Sequence, residues 1–379
     1  MIIKEIQGLR SLSVFLILFF HLDLNYFEFG YLAVDIFFVI SGFIFSKIIF
    51  TDINNNNFNI LEYGQRRIKK LIPGLIILTF FVTLASWLFL IPIELKYYGQ
   101  SLFATSSFIS NIYFFIVNND YFSPNTYSLL HLWSLSLEIQ FYFIFPILIL
   151  IVNFYNILKK NLRVIFFCIL IFSFYLNIYF SSNEKFIFYL LPSRFWEFLI
   201  GYFLYIQITK NKFDPSLRES VYLYLISLIL ISYLILGTSE IIKNQIFVIL
   251  FTIILFFLSF NRKNVLNLIL IHPSNQFVAK YSYTIFLVHY PIIYFSKYFE
   301  FYTQNSFAVI VIILLIIIAT FIVSKLEKII LGKHKTKSEQ ILITKYLIIF
   351  LFINSILGIF FHLSKGVKYR YFLNNNITK

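Results

Sequence analysis

Long apolar runs without a single charge dominate this sequence. The run at 309–324, VIVIILLIIIATFIVS, is one of them. A stretch of about 18 or more apolar residues is long enough to cross a bilayer as a helix. Overall, 60% of the residues are hydrophobic and 13% are charged, whereas soluble domains have ~45–50% and ~25%. The sequence therefore predicts an all-α, polytopic transmembrane helical bundle.

About eleven segments are apolar and long enough to be predicted as spans. They lie at 9–27, 31–50, 71–93, 135–156, 163–180, 190–208, 220–237, 245–260, 281–299, 306–325 and 341–362. A further stretch at 100–117 is rich in serine and too polar for a lipid-exposed helix. Irregular backbone at membrane depth must be buried in protein or line a cavity. A full crossing here would invert every later loop and break the positive-inside bias. We therefore predict that 94–130 is an external loop with a stretch that is partly buried or re-entrant, and a candidate wall of a substrate site.

The net charge of +14 is concentrated in short basic clusters between the apolar segments. With a cytoplasmic N-terminus and about eleven crossings, these clusters fall on the cytoplasmic side, as the positive-inside rule requires. The C-terminus is then external, and the distribution argues against nucleic-acid binding. We predict a membrane domain of about ten helices at 1–340, followed at 341–379 by one more helix and a short external tail. The single cysteine, Cys168, excludes an intramolecular disulfide.

The first predicted helix carries Arg10 and His21, eleven positions apart. Eleven steps of ~100° return to within ~20° of the starting direction, so both side chains lie on one face, with ~16 Å between them along the axis. An ionisable side chain at the depth of His21 is costly and faces the bundle interior or a wet cavity. His21 is therefore either a functional group or a histidine satisfied by an interhelical hydrogen bond.

Two further polar features follow, one in the second predicted span and one at the end of the loop before the third. Asp35, near the outer end of the second, either orients an imidazole, binds a sugar hydroxyl or is an interfacial carboxylate. A basic cluster precedes Pro73, a proline that suits a helix start. Its members are Arg66, Arg67, Lys69 and Lys70. The cluster suits a phosphate-rich ligand, because arginine binds phosphate in a bidentate way, although positive-inside topology alone also explains it.

Polar residues also crowd three later spans. In the fourth, Ser134 and Glu138 share a helix face, and a buried glutamate needs a partner. In the sixth, Arg194 and Glu197 form either a structural ion pair or a sugar-binding rim. In the ninth, His289 is either a functional residue or a packing histidine beside a proline kink.

Six short motifs contain these residues and follow one another along most of the chain. They are Gly8, Leu9 and Arg10 with His21; Val34, Asp35, Phe37, Phe38, Val39, Ser41, Gly42 and Phe43; Arg66, Arg67, Lys69, Lys70 and Pro73; His131, Trp133, Ser134, Leu135, Glu138, Gln140, Phe141 and Tyr142; Leu191, Pro192, Arg194, Trp196 and Glu197; and Ser282, Tyr283, Leu287, His289 and Pro291. In this order they resemble the bacterial type 3 acyltransferase family, integral membrane enzymes that O-acylate extracytoplasmic carbohydrate. The chain departs from the family pattern at Gln7, Ala33 and Val288, which concerns details of acceptor binding.

The resemblance implies a multi-pass O-acyltransferase of the bacterial inner membrane. It implies transfer of an acyl group, with acetyl expected, from cytoplasmic acyl-CoA to a hydroxyl of an extracytoplasmic or lipid-linked glycan. Acyl-CoA (acetyl-CoA) is then a co-substrate, and no permanently bound cofactor and no metal is expected. The chain has the additional eleventh helix and then stops, so any external acyl-transfer partner is expected to be a separate protein. The alternative is a polytopic transporter or lipid-linked-glycan flippase.

The residue roles that we predict combine the motifs with these chemical arguments. The catalytic residues are His21, with Asp35 or Glu138 to orient it. The residues that bind the donor are Arg10, Arg66, Arg67 and Lys70. The residues that bind the acceptor are Trp133, Ser134, Arg194, Glu197 and His289.

Overall fold

The fold was obtained as a computed structural model that describes residues 4–117, 127–154, 161–210, 241–260, 265–302, 306–332 and 336–368, with part of 223–230. Every regular element among these residues is a helix, and the predicted all-α class is confirmed. A 3₁₀ helix, Glu28–Leu32, lies between α1 and α2. The α-helices are α1 Lys4–His21, α2 Ala33–Asn54, α3 Ile60–Phe89, α4 Pro92–Ser106, α5 Ser110–Val117, α6 Leu132–Phe154, α7 Leu162–Tyr179, α8 Glu184–Tyr189, α9 Leu191–Lys210, α10 Ile241–Phe260, α11 Val265–Ile271, α12 Pro273–Tyr298, α13 Ser306–Leu331 and α14 Lys337–Leu363.

Seven helical segments of the described residues are long and apolar enough to cross a membrane. They are Glu28–Asn54, Ile60–Phe89, Leu132–Val152, Leu162–Tyr179, Ile241–Phe260, Ser306–Leu331 and Ser338–Leu363. Three more predicted spans fall in α1, α9 and α12, which carry several of the buried polar side chains described below. The predicted span 220–237 lies largely outside the described residues, as does the tail after 368. The number of crossings and the side of each terminus stay predictions.

The stretch at 100–117 forms two helices rather than irregular backbone. α4 ends at Ser106 and α5 begins at Ser110, and between them Phe108 takes a left-handed φ of 57°. The break leaves neither helix long enough to cross a bilayer. Ser101 and Ser110 are fully buried, so the predicted partial burial of this stretch is confirmed. Its position outside the membrane stays a prediction.

The chain divides into two compact units. Unit 1 comprises Met1–Phe58 and Gln140–Tyr283, and unit 2 comprises Asn59–Ile139 and Thr284–Lys379. In unit 1, α2 packs along α9, α9 along α7, and α1 against α11. In unit 2, α14 packs along α4 and α3, and α13 also contacts α3. The predicted division at residue 340 is a different boundary and stays a prediction.

Glycine sets the close approach of α2 and α9 within unit 1. A methyl group added at Gly42 would overlap the carbonyl oxygen of Phe198, and one at Gly201 would overlap the carbonyl oxygen of Val39. Small residues let helix backbones approach closely in membrane proteins, where packing rather than the hydrophobic effect holds helices together. This close packing brings the first turn of α2, with Asp35, beside the start of α9.

Candidate active site

Helix α1 carries both residues of the first motif. Arg10 and His21 are half-buried, and the single helix from Lys4 to His21 places them on one face, as the sequence predicts. The helix ends at His21 because the chain turns there, and Asp23 takes a φ of 45°. The His21 ring meets Phe20 edge-on, with 5.0 Å between ring centroids. The structure thus leaves the predicted catalytic and donor-binding roles of this pair as predictions.

A fully buried charge cluster in unit 1 joins Asp35 of α2 to Arg194 and Glu197 of α9. Arg194 Nη1 forms ion pairs with Asp35 Oδ1 and, at 2.8 Å, with Glu197 Oε1. Arg194 Nε donates to the carbonyl oxygen of Phe188 at 3.2 Å. The side chains of all three residues are at most 2% exposed. The sequence offered two interpretations of Arg194 and Glu197, a structural ion pair or a sugar-binding rim. In the structure they form the ion pair, and their burial does not suit a rim open to sugar.

The cluster has an unequal number of opposite charges. It holds two carboxyl groups and one guanidinium group. Gln245 binds the other terminal nitrogen of Arg194: in the amide orientation that satisfies its neighbours, the Gln245 side-chain oxygen accepts from Arg194 Nη2 at 3.0 Å. An uncompensated buried charge is costly. We therefore expect one carboxyl group to hold a proton. Asp35 is engaged by Arg194 here, and its predicted role beside His21 stays a prediction.

Two histidines form a second buried polar cluster, in unit 2. His131 and His289 lie with 5.5 Å between ring centroids, and both are at most 2% exposed. The His131 ring also stacks on Tyr290 at 5.1 Å. His289 Nδ1 donates to the carbonyl oxygen of Phe286 at 2.7 Å. The sequence predicts a substrate-binding role for His289, but it gave no role to His131 and did not predict the pair.

A proline fixes the tautomer of His131. Pro291 has no N–H, so it cannot bond the carbonyl oxygen of Leu287 four residues earlier in α12. His131 Nε2 lies 3.1 Å from that oxygen, and because a carbonyl only accepts, Nε2 must be the nitrogen that donates. Nδ1 of His131 then keeps its lone pair, and it is buried without a hydrogen-bond partner among the described residues.

The environment keeps His131 uncharged. His131 immediately precedes α6. Its burial, together with the nearby His289, lowers its pKa well below the usual range of a histidine. A neutral imidazole with a fixed tautomer is a hydrogen-bond acceptor for a hydroxyl group. The sequence signal for this pair was the proline two residues after His289, which frees one carbonyl oxygen in the preceding turn.

The remaining residues of the fourth motif follow His131 in α6. Trp133 is 1% exposed, and the Ser134 hydroxyl donates to the carbonyl oxygen of His131 at 3.2 Å. Glu138, one turn after Ser134, is half-buried. The Ser134 hydroxyl therefore ties the first turn of α6 to the backbone of the histidine. The contacts predicted for Trp133 and Ser134 with an acceptor, and the catalytic role predicted for Glu138, stay predictions.

The basic cluster of the third motif lies within α3, which corrects the sequence interpretation. That interpretation placed the cluster in a loop and Pro73 at a helix start. The helix begins earlier, at Ile60, because the Asn59 side chain accepts from the backbone N–H groups of Leu61 and Glu62 at 2.9 and 3.2 Å. The cluster then occupies turns of a helix that continues through Pro73.

Helical spacing arranges these basic residues as a cationic surface. Arg66 and Lys70 are four residues apart, and Arg67 and Lys70 are three apart, so they are neighbours on the helix. The Arg67 guanidinium lies 5.5 Å from the centre of the Tyr63 ring, and Lys69 Nζ donates to Gln340 at 2.7 Å. Donor binding by Arg66, Arg67 and Lys70 stays a prediction.

Glu327 of α13 is a half-buried acid that the sequence did not single out. Its Oε1 atom is buried without a hydrogen-bond partner among the described residues. It lies against Gly74 of α3, where an added methyl group would overlap it and crowd the Leu287 side chain. The absence of a side chain at Gly74 therefore makes room for this carboxyl group.

Comparisons with known proteins give one family match and several relatives. A family model described as an acyltransferase domain matches residues 3–326. O-acetyltransferase OatA of Staphylococcus aureus (strain NCTC 8325 / PS 47) is 27% identical over 340 residues, which cover 83% of this chain and 54% of that protein. Peptidoglycan O-acetyltransferase OatA of Listeria monocytogenes serovar 1/2a is 27% identical over 309 residues, with 77% and 49% covered. An uncharacterized protein of Haemophilus influenzae is 33% identical over 207 residues, with 52% and 84% covered.

The length covered by these matches limits what can be inferred about this chain from its relatives. The chain spans about half the length of the two OatA proteins. No solved structure matches the chain. The family match covers all six motifs, including the two buried clusters and the basic cluster of α3.

Proposed function

This chain belongs to the type 3 acyltransferase family, and from that premise we propose that it is an integral membrane O-acyltransferase that acylates a hydroxyl of a cell-surface glycan. The observation that carries the proposal is the family match over 3–326, which contains every predicted site residue. The names of the two OatA relatives support acetyl as the acyl group, and the Listeria relative supports an envelope glycan such as peptidoglycan as the acceptor. We place the protein in the bacterial inner membrane.

The proposed donor is cytoplasmic acyl-CoA. Its phosphates would meet the cationic surface of α3, where arginine side chains pair with phosphate oxygens through two parallel hydrogen bonds. Arg66, Arg67 and Lys70 lie on consecutive turns there, and Arg10 would add a further positive charge from α1. The donor is a co-substrate that leaves after each turnover, and no permanent cofactor is part of the proposal.

His21 is the proposed general base. The imidazole accepts the proton of the acceptor hydroxyl while that oxygen attacks the thioester carbonyl carbon; the carbon–sulfur bond then breaks, and the coenzyme A thiolate leaves and takes up a proton. A neutral histidine suits this role near neutral pH. Asp35 or Glu138 would orient the imidazole. Trp133, Ser134 and His289 would form the acceptor site, and Arg194 and Glu197 would support it from their buried ion pair. A separate external protein would pass the acyl group onward if the final acceptor lies beyond the membrane surface.

The test measures base-labile acyl esters on surface glycan. Cells that lack the protein would express the intact chain, His21→Ala or the matched control His272→Ala, an exposed histidine of the same unit. Equal amounts of each protein must be present in the membrane. Esters are expected with the intact chain and His272→Ala, and their loss is expected with His21→Ala.

Two other outcomes would overturn parts of the proposal. If esters in the native host do not depend on the protein, it is not the acyltransferase, and a transporter or flippase becomes the better interpretation. If His21→Ala acylates as well as the intact chain, His21 is not the base.

A further inference from the structure

The chain folds back on itself directly after His21. His21 is the last residue of α1, and Asp23 and Tyr26 both take left-handed φ angles, of 45° and 69°. The N–H group of Leu24 donates to a carbonyl oxygen in the last turns of α1 at 3.2 Å, which ties the turn to the helix. The 3₁₀ helix that precedes α2 is thereby returned to the end of α1.

Close packing holds this 3₁₀ helix against α1. A methyl group added at Gly30 would overlap the carbonyl oxygen of Leu16 and the side chain of Phe20. The next residue, Tyr31, has its ring centroid 5.7 Å from that of Phe20. The Phe20 ring in turn lies 5.0 Å from the His21 ring. One aromatic ring therefore separates Tyr31 from the proposed general base.

Tyr31 is also a neighbour of the buried charge cluster. The 3₁₀ helix and α2 form one continuous helical segment, Glu28–Asn54, and the residues at their junction, Leu32 and Ala33, have helical φ and ψ angles. Tyr31 and Asp35 are four residues apart in this segment, so their side chains are neighbours on one face. Tyr31 therefore lies one turn from a carboxyl group of the cluster.

Two consecutive residues of α10 contact Tyr31 and the charge cluster. Asn244 Nδ2 donates to the Tyr31 hydroxyl oxygen at 3.2 Å, and the Gln245 side chain binds Arg194 as described above. Asn244 is 7% exposed and Gln245 is fully buried, and a buried hydrogen bond is costly to lose because water does not replace the missing partner. The start of α10 thus connects Tyr31 to the guanidinium group that pairs with Asp35.

A general base at the end of a helix needs support from outside that helix. No further turn of α1 follows His21 to hold its backbone, and helix ends fray. A displacement of about 1 Å at a reacting group can cost ~10²-fold in rate. Catalytic side chains are therefore held by residues whose own conformations are fixed by packing and hydrogen bonds. Tyr31, bound by Asn244 and packed on Phe20, has both kinds of contact.

We propose that Tyr31 and Asn244 are positioning residues that fix the end of α1, and with it His21, relative to the buried charge cluster. The inference rests on the proposed function and deepens it, because it gives the cluster an indirect connection to the base. Asp35, which Arg194 engages, then orients the imidazole through Tyr31 rather than by direct contact. The Tyr31 hydroxyl is essential to this role, since the ring alone cannot bind Asn244.

Turnover of the full-length protein in nanodiscs, with acetyl-CoA and soluble peptidoglycan fragments, tests the role. Tyr31→Phe keeps the ring and loses the hydrogen bond, and Asn244→Leu removes the donor. Each should lower kcat per folded molecule roughly tenfold or more, with KM for both substrates nearly unchanged. The double variant should be no slower than the slower single variant, because both changes remove the same bond. The matched control Tyr26→Phe, at a tyrosine that is 81% exposed, should turn over like the parent.

Two kinetic outcomes would overturn the inference. One is an unchanged kcat in Tyr31→Phe. The other is a smaller folded fraction with unchanged kcat per folded molecule, which would mean that the hydrogen bond only stabilises the fold. Tyr31→Phe decides alone if Asn244→Leu does not fold, as judged by gel filtration.

A measurement without turnover separates this inference from the proposed function. The protein would be labelled with ring-¹³C histidine; it has six histidines, and His21→Ala identifies the signal of His21 by its loss. Tyr31→Phe should move that signal by more than its line width, and Tyr26→Phe should leave it in place. An unmoved signal would overturn the positioning role even in an active acyltransferase. A moved signal in a chain that acylates nothing would leave the positioning role standing and overturn the proposed function.

Discussion

Replacing Arg194 by methionine should be among the most destabilising single changes in unit 1. Arg194 is 1% exposed and is the only cation that contacts Asp35 and Glu197 among the described residues. Methionine keeps much of the volume of the side chain but removes the charge. The two carboxyl groups are then left buried without a countercharge, while Phe188 loses a donor to its carbonyl oxygen.

The magnitude follows from burial. Removing one partner of a buried ion pair costs about 3–5 kcal/mol, because the other charge stays buried and uncompensated. Here two acids are orphaned, but protonation relieves part of that cost. We therefore expect the free energy of unfolding to fall by about 3–5 kcal/mol. A neutral triple variant, with Arg194→Met, Asp35→Asn and Glu197→Gln, should recover part of this loss, since no charge then remains buried.

The assay is reversible unfolding of the purified protein in mixed micelles, followed by tryptophan fluorescence. Lys185→Met, a half-exposed lysine on the neighbouring helix α8, is the matched loss of one positive charge and should change stability by less than about 0.5 kcal/mol. A cost below about 1 kcal/mol for Arg194→Met would refute the argument that this cluster is a buried, mutually dependent unit. So would a triple variant that is less stable than the single one.

Two other stability measurements probe packing and the histidine. Gly42→Ala should lower the free energy of unfolding by about 1–3 kcal/mol through overpacking. The control Gly64→Ala, with nothing within 4 Å of the added methyl group, should not destabilise the protein. Equal effects of the two changes would contradict the close α2–α9 contact. His131→Leu leaves the carbonyl oxygen of Leu287 unsatisfied and should cost about 1–3 kcal/mol. That cost should shrink in a Pro291→Ala background, where the restored backbone N–H bonds the same oxygen; an undiminished cost would contradict the proposed use of the proline.

Local sequence patterns were sufficient for the class and for much of the helical layout. Uncharged apolar runs predict membrane helices because a bilayer leaves backbone groups no partners except those within a helix. Helical period alone places Arg10 and His21 on one face of α1. The six motifs in order predicted the family. Each of these inferences uses only neighbours within a helix or the composition of a segment.

Local patterns were less reliable at helix ends. Pro73 suggested the start of α3, but the helix begins at Ile60, where Asn59 caps it. A proline is also tolerated inside a membrane helix, where neighbouring groups satisfy the freed carbonyl. The stretch at 100–117 forms two short helices, and the break between them depends on a left-handed residue, Phe108, that its sequence did not mark.

Only the tertiary structure decided which buried groups meet. The sequence left Asp35 open between orienting an imidazole, binding a sugar hydroxyl and lying at the interface, and the close packing of α2 on α9 gives it Arg194 as its partner. His131 lies far along the chain from the carbonyl oxygen of Leu287 that fixes its tautomer. The physical reason is that the residue type alone sets how much free energy it costs to bury a polar or charged group without a partner. The partner that offsets the cost depends on how the helices pack, which no local period encodes.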